Sequence, residues 1–371
     1  MSKHNEIERN AKGQYYPATR EELDELVRDE NVSLGDIDVG RITDMKGLFL
    51  IEMDDLLGGV RHGFIRKDFS GIEDWDVSNV QSMTYMFYGA DAFDGDLSRW
   101  DVSQVRDMAF MFFKAASFNC DLSQWDVSNV RDMSHMFQGA RLFNGDISRW
   151  NVSKVRDMSF MFDAARSFNR NLNYWNVSKV RKMEYMFRDA VSFNGDVSRW
   201  DTSNVRDMNS MFSNAASFNG DLSRWDVSKV QNMSFMFFRA ASFSCDLSQW
   251  DVSEVVNMSG MFYEASAFNG DIGRWDVSEV QVMWHMFEGA SAFNRDISRW
   301  NVSEVKIMNY MFKGTSAFNC DISQWDVSEV CSMSGMFDGA ISFTGDPRAW
   351  KNVWEKPLAE ALESLAWRDK A

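Results

Sequence analysis

Apolar residues return along this chain on a fixed beat. Trp75, Trp100, Trp125, Trp150, Trp175, Trp200, Trp225, Trp250, Trp275, Trp300, Trp325 and Trp350 stand 25 residues apart, with no insertion or deletion between them. A Met-x-x-Met-Phe signature, Met83, Met86 and Phe87 in its first copy, recurs down to Met333, Met336 and Phe337. A second phenylalanine column runs from Phe93 to Phe343. Such self-similarity marks a stack of repeats, because no single repeat can bury its own apolar face.

Inside one repeat, Val80, Met83, Met86, Phe87 and Ala90 follow the i, i+3, i+4, i+7 spacing of an amphipathic helix, with Ser78 placed as its N-cap. Between Phe93 and Val102 the apolar Leu97, Trp100 and Val102 are set among Asp96, Ser98, Asp101 and Ser103, which predicts a short strand and a turn. A strand-plus-helix repeat of 25 residues has the length of a leucine-rich repeat. The expected fold is α/β: a right-handed leucine-rich-repeat-like solenoid of about twelve such coils with helical caps. Residues 1–14 are polar and expected as a mobile tail. Residues 15–68 are expected as an N-terminal cap helix and a degenerate first repeat, 69–350 as the regular array, and 351–371 as a C-terminal capping helix. Thr19-Arg-Glu-Glu22 is a capping box leading into Leu23, Leu26 and Val27, and Pro357 precedes Leu358, Ala361, Leu362 and Leu365 on one helical face. Pro17, Pro347 and Pro357 all lie outside the array, where no ladder hydrogen bond is lost.

The periodic columns account for the composition. Of 25 Met, 30 Phe and 15 Trp, the columns hold 22, 22 and 12. The formal charge of −16 disfavours nucleic acid as a partner. No apolar run is long enough to span a membrane. The first ten residues lack the apolar stretch of a secretory leader, which favours a cytoplasmic location.

The motif F-N-x-D-[LIV]-S-x-W-D-V-S-x-V-x-x-M-x-x-M-F resembles the repeat of BspA-like leucine-rich-repeat surface proteins, a family also described as a mycoplasma-lipoprotein-type repeat of unknown function. The lead-in Tyr16-Pro-Ala-Thr-Arg-Glu-Glu-Leu23, with Leu34-Gly-Asp-Ile-Asp38 and Ile42-Thr-Asp-Met45, is similar to that family's start. The resemblance implies surface display and adhesion or protein binding, without an enzymatic activity.

Candidate chemistry is sparse. His4, His62, His135 and His285 are the only histidines, and His135 and His285 share one column six coils apart, which gives no common site. Cys120, Cys245 and Cys320 share another column. The nearest pair, three coils apart, is separated by roughly 14 Å at parallel-strand spacing, beyond the ~7 Å that a disulfide spans. Two acidic columns, Asp96, Asp121, Asp146, Asp196 and Asp221, and Asp76, Asp101, Asp126 and Asp226, flank the tryptophans. Turn N–H groups are their expected partners, with calcium as the alternative. No Walker loop, catalytic triad spacing or zinc cluster occurs, so neither enzyme nor cofactor is expected.

Variation between repeats points to a partner surface. On the expected helix, two columns opposite the core carry Tyr85 and Tyr88, Phe110 and Phe113, Phe160, Tyr185, Phe235 and Phe238, Tyr263 and Tyr310, with Trp284 beside them. Recurring aromatics on an outer face suggest a binding stripe. The expected function is a non-enzymatic scaffold for a protein partner or for self-assembly through that face; the alternative is a cell-surface adhesin for protein or glycan ligands. Four residues after each Trp, Asn79, Gln104, Asn129, Lys154, Lys179, Asn204 and Lys229 give way to Glu254, Glu279, Glu304 and Glu329, a gradient able to orient a partner.

Overall fold

The computed structural model describes residue 4 and residues 6–51, 66–350 and 353–363. They fall into two compact units, Met1–Lys179 and Val180–Ala371.

The N-terminal unit opens on an antiparallel bridge between Arg9 and Tyr15, and Tyr15 then bridges Ile37 in parallel. Residues 6–14, expected as a mobile tail, therefore fold back on the cap, with the Tyr16 N–H donating to Glu8 at 2.7 Å. Helix α1, Arg20–Arg28, forms as expected: the Thr19 hydroxyl accepts from the Glu22 N–H and Leu23, Leu26 and Val27 are buried. The Glu22 carboxylate reaches back to the Ala18 N–H at 2.6 Å. Past the C-terminal end of α1, the buried Arg66 guanidinium donates to the carbonyls of Val27 and Val32, so it collects acceptors that the ending helix leaves open.

The expected helix over 80–90 does not form. The Met86, Tyr88 and Ala90 N–H groups each donate three residues back, to Met83, Tyr85 and Phe87. Alternate N–H groups leave the coil altogether: Met83, Tyr85, Phe87 and Gly89 donate to the carbonyls of Asp107, Ala109, Met111 and Phe113 in the next coil. The segment turns a corner at Tyr85 and another at Gly89, with φ of 60° and 72°. Left-handed corners at these two positions repeat in both units, through Phe110 and Lys114 to Tyr310 and Gly314. Two successive four-residue turns put residues 83, 86, 87 and 90 inside, which is why the sequence spacing imitates a helix. Ser78 caps nothing; its N–H and hydroxyl both donate to Asp76.

The expected strand between Phe93 and Val102 is also replaced. Among the described residues of the repeats, parallel pairing is limited to single-residue bridges at another position, Asp44–Ser82–Asp107–Asp132–Asp157 in the N-terminal unit. In the C-terminal unit the bridges run Lys182–Asp207–Asn232–Asn257–Val282–Ile307–Ser332. The coil is thus a closed chain of turns tied sideways to its neighbours, rather than a strand-plus-helix unit.

Each coil packs the same core. In the N-terminal unit, Phe87, Phe112 and Phe137 stack at 5.5 Å, and each faces the second phenylalanine of its own coil, Phe87 on Phe93 at 4.1 Å. In the C-terminal unit Phe237, Phe262 and Phe287 repeat the ladder at 5.7 and 5.6 Å. These rings and the paired methionines are fully buried; each such side chain stabilises by about 1.5–3 kcal/mol. The C-terminal unit ends on helix α2, Glu355–Glu363, which begins two residues before Pro357. Ala361 is buried against the last coil, whereas Leu365 lies outside the described residues. In the last coil the Met333 N–H has no following coil, and the Glu360 carboxylate accepts it at 2.8 Å, together with the Ser332 hydroxyl at 3.0 Å.

Two substitutions test this architecture. Ala164 occupies a left-handed corner with φ 56°. Ala164→Gly is expected to raise stability by about 1 kcal/mol and Ala164→Val to lower it, read by thermal or urea unfolding. Glu360→Ala leaves a backbone N–H without its acceptor and is expected to cost about 1–3 kcal/mol, with faster hydrogen exchange confined to the last coils.

Candidate functional site

The columns flanking the tryptophans serve the backbone. In the N-terminal unit Asp96, Asp101, Asp121 and Asp126 each accept the N–H two residues on, at 2.9–3.0 Å. Asp221, Asp226, Asp246 and Asp251 do the same in the C-terminal unit. These are Asx turns, in agreement with the turn reading of the acidic columns. Hydrogen bonds from Ser98 hold the Asp96 carboxyl below the usual carboxylate range, and Ser223 and Ser228 do the same for Asp221 and Asp226. Tryptophans of the 25-residue column donate their Nε1–H to buried carbonyls, Trp125 to Leu97 at 2.9 Å and Trp250 to Leu222 at 2.9 Å.

One further column was not singled out from the sequence. The Asn119 side-chain oxygen accepts the Asn144 N–H at 2.8 Å, and Asn144 accepts from Asn169 in turn. Asn294 and Asn319 extend the same ladder to Thr344 in the C-terminal unit. The Asn that follows most phenylalanines of the second column, from Asn119 to Asn319, was the available signal. Cys120, Cys245 and Cys320 are free thiols. The Cys120 sulfur accepts the Leu97 N–H, and burial pushes its thiol up to about 11.

The predicted partner-binding aromatics divide by position. Tyr85, Phe110, Phe160, Tyr185, Phe235 and Tyr310 all sit at the first left-handed corner. Phe113, Phe238 and Tyr263 lie three residues on, half-buried, while Tyr88 is buried and Trp284 is 40% exposed. Because the segment is not a helix, these side chains do not stand on an outer helical surface; they lie against the corners of neighbouring coils and offer ring edges to solvent.

In the N-terminal unit the corner rings form one stack: Tyr85 on Phe110 at 4.8 Å, Phe110 on His135 at 4.1 Å, His135 on Phe160 at 4.5 Å. Tyr88 stacks on Phe113 at 4.4 Å beside it. His135 is the member that the aromatic pattern missed, although its column announced it. Burial lowers its pKa, so it serves at neutral pH as one more uncharged flat ring. Its Nδ1 meets the Gln138 side chain at 2.5 Å.

In the C-terminal unit the stack is interrupted by Ser210 and Gly260. Gly260, at φ 57°, has the Phe235 ring lying over it; a Cβ there would meet that ring at 2.5 Å. Phe238 stacks on Tyr263 at 4.6 Å, with the Arg239 guanidinium 5.0 Å from the Phe238 centroid and paired to Glu264 at 2.8 Å. Trp284 meets His285 edge-on at 4.2 Å, and His285 stacks on Tyr310 at 4.9 Å. Glu288 bonds to His285 and to Lys313, whose ammonium lies 5.1 Å from the Tyr310 ring. Tyr185 has its ring beneath the Arg188 guanidinium at 4.8 Å. The sites therefore combine flat rings with cations. Among the described residues no cluster of three or more His, Cys, Asp or Glu is arranged to hold a metal ion. No described helix is long and apolar enough to cross a membrane.

Stacked coils with a recurring surface of this kind define a tandem-repeat protein. A family model described as "Mycoplasma protein of unknown function, DUF285" matches residues 60–175, 156–273 and 258–356, and the chain belongs to that family. No curated protein matches it. Among solved structures, a leucine-rich-repeat protein of Leptospira interrogans, LIC12759, aligns over 78% of this chain and 71% of its own, at 6% identity and a TM-score of 0.22. The functional domain of InlJ from Listeria monocytogenes aligns over 73% and 65%, at 8% identity and a TM-score of 0.20. TLR13, in a complex with ssRNA13, aligns over 70% of this chain at 10% identity and a TM-score of 0.18, and this chain spans 50% of the TLR13 chain.

Acid sensitivity follows from the Asx turns. Asp96, Asp146, Asp221 and Asp296 titrate lower in the folded chain than in the unfolded one. Their stabilisation is complete above the unfolded carboxylate value near 3.9 and is lost as pH falls through the lower folded values. The melting temperature is expected to hold through pH 5 and fall steeply below about pH 4. Thiol labelling gives a second check: exposed Cys331 should react first, and Cys120 only slowly until the pH approaches about 11.

Proposed function

We propose that this chain is a non-enzymatic repeat scaffold that holds a protein partner on its aromatic corners. The supporting observation is that the corners vary where the core does not. Core positions repeat Met, Met, Phe and Ala almost without change, whereas the corners carry Tyr, Phe, His, Ser or Gly in turn, half-buried and stacked. Rings held by their neighbours lose little freedom on binding, and cations such as Lys114 and Arg239 beside them supply polar contacts at the rim. A surface varied by coil on an invariant frame lets one protein read an extended partner.

A photo-crosslinking residue placed at Phe113 or Phe238 should give a discrete adduct in native cells, and the same residue at exposed Arg99 should give none. Phe110→Ser with Phe113→Ser should weaken binding of that partner at least about tenfold. Equal adducts from Arg99, or none from Phe113 and Phe238, would sink the proposal. The resemblance to BspA-like surface proteins supports a second reading, an adhesin for protein or glycan ligands. Protease treatment of intact cells separates the two, because an adhesin is cleaved and an internal scaffold is protected.

A further inference from the structure

Another face of the C-terminal unit carries several charges, Arg181, Arg206, Glu254 and Glu279 among them, that make no ion pair among the described residues. It is built from positions on either side of a buried valine column, Val180, Val205, Val230, Val255, Val280 and Val305. Each valine faces the core, so its two neighbours turn outward. Arg181, Lys182, Asn204, Arg206 and Lys229, with Glu184 and Asp207, line a groove of about 520 Å³ on this face. The guanidinium groups of Arg181 and Arg206 make no ion pair among the described residues, although the two coils are in direct contact through the Arg206 N–H and the Arg181 carbonyl at 3.3 Å.

Further along the same columns the sign reverses. Arginine is replaced by Gln231, Val256 and Gln281, and Lys229 is followed by Glu254, Glu279 and Glu304. Glu254 and Glu279 are exposed and have no ion pair among the described residues, while Glu329 is already paired with Lys306 at 2.8 Å. Val256, 39% exposed, adds apolar surface between the two halves.

We propose that two copies of this chain pair antiparallel through this face, with Arg181, Arg206 and Lys229 of one copy set against Glu304, Glu279 and Glu254 of the other. The two-fold axis passes between the coils of Lys229 and Glu254. A two-fold contact requires a surface complementary to itself when reversed. This face reversed end for end presents acid where it had presented base. Both halves share the 25-residue period, so successive pairs stay in register without adjustment. The unpaired arginines, which repel each other in one copy, gain their counter-charges in the pair. A long polyanion fits less well, because the net charge of −16 and the adjoining glutamates repel it. The contact uses columns separate from the aromatic corners, and its test reads different residues, so either idea can fail alone.

Sedimentation velocity on the full chain should show a dimer at about 50 mM salt, with the dissociation constant rising about tenfold or more by about 500 mM. R181E/R206E and E254K/E279K should each be monomeric with melting temperatures close to the parent's. Mixing the two variants in equal amounts should restore a dimer, because four of the six facing pairs are then opposite in sign, against two of six in either variant alone. A parent chain that is monomeric at low salt, a dimer indifferent to both double variants, or a mixture that stays monomeric overturns the proposal. So does tighter binding of polyphosphate by the monomeric parent than by R181E/R206E, with no dimer present.

Discussion

Backbone N–H groups that point out of one coil into the next set the terms for the rest of this molecule. Met83, Tyr85, Phe87 and Gly89 all send their N–H to the same neighbour. Consecutive peptides in a helix or a strand do not allow alternate N–H groups to leave along one direction while the intervening ones close turns. Left-handed corners do, at a cost of order 1–3 kcal/mol for each residue other than glycine. That cost is offset by the sideways bond and by the buried Met-Met-Phe group that the same geometry turns inward. The corner conformation also decides where an aromatic ring can go: it lies along the stack, against the corner residue of the next coil.

The core and the polar columns then divide the remaining work. Phenylalanine ladders fill the inside, and tryptophan adds a second hydrogen bond to a buried carbonyl, as Trp150 does for Leu122 at 2.9 Å beside the Trp125 N–H at 3.1 Å. Aspartates close turns within a coil, and asparagines, with Asp94 in the first place, join one coil to the next. An ionised carboxylate in place of Asn144 would add a second charge to the ladder two coils from Asp94, whereas Asn replaces Asp in turns, as Asn151 does for Ser153.

Much of the arrangement was legible before any coordinates. The period, the buried columns, the α1 capping box and the turn role of the aspartates follow from spacing and side-chain chemistry alone. The local conformation did not. Val80, Met83, Met86, Phe87 and Ala90 fit a helix because two four-residue turns place inward residues at nearly the same intervals as helical turns. The discriminating sign was weak but present: position 85 and position 89 accept glycine in several coils, at Gly89, Gly139, Gly260 and Gly289, where a helix of 11 residues would avoid it. His135 and His285 were weighed for reactivity, whereas their column among tyrosines and phenylalanines identified them as rings. The unpaired arginines near Arg206 were invisible to spacing, since only contacts can show that a charge has none.

Glu360 closes the last coil by taking a backbone N–H that every coil possesses in the same place. The closing helix therefore reads the backbone that all coils share and, through the Ser332 hydroxyl, one feature of this last coil, where others carry Asp107, Asp132 or Ile307. Whole repeats can be gained or lost ahead of it by duplication or deletion in the gene, and the end still fits. Chain length in such a protein becomes a freely adjustable quantity, counted in coils, with the terminus unchanged.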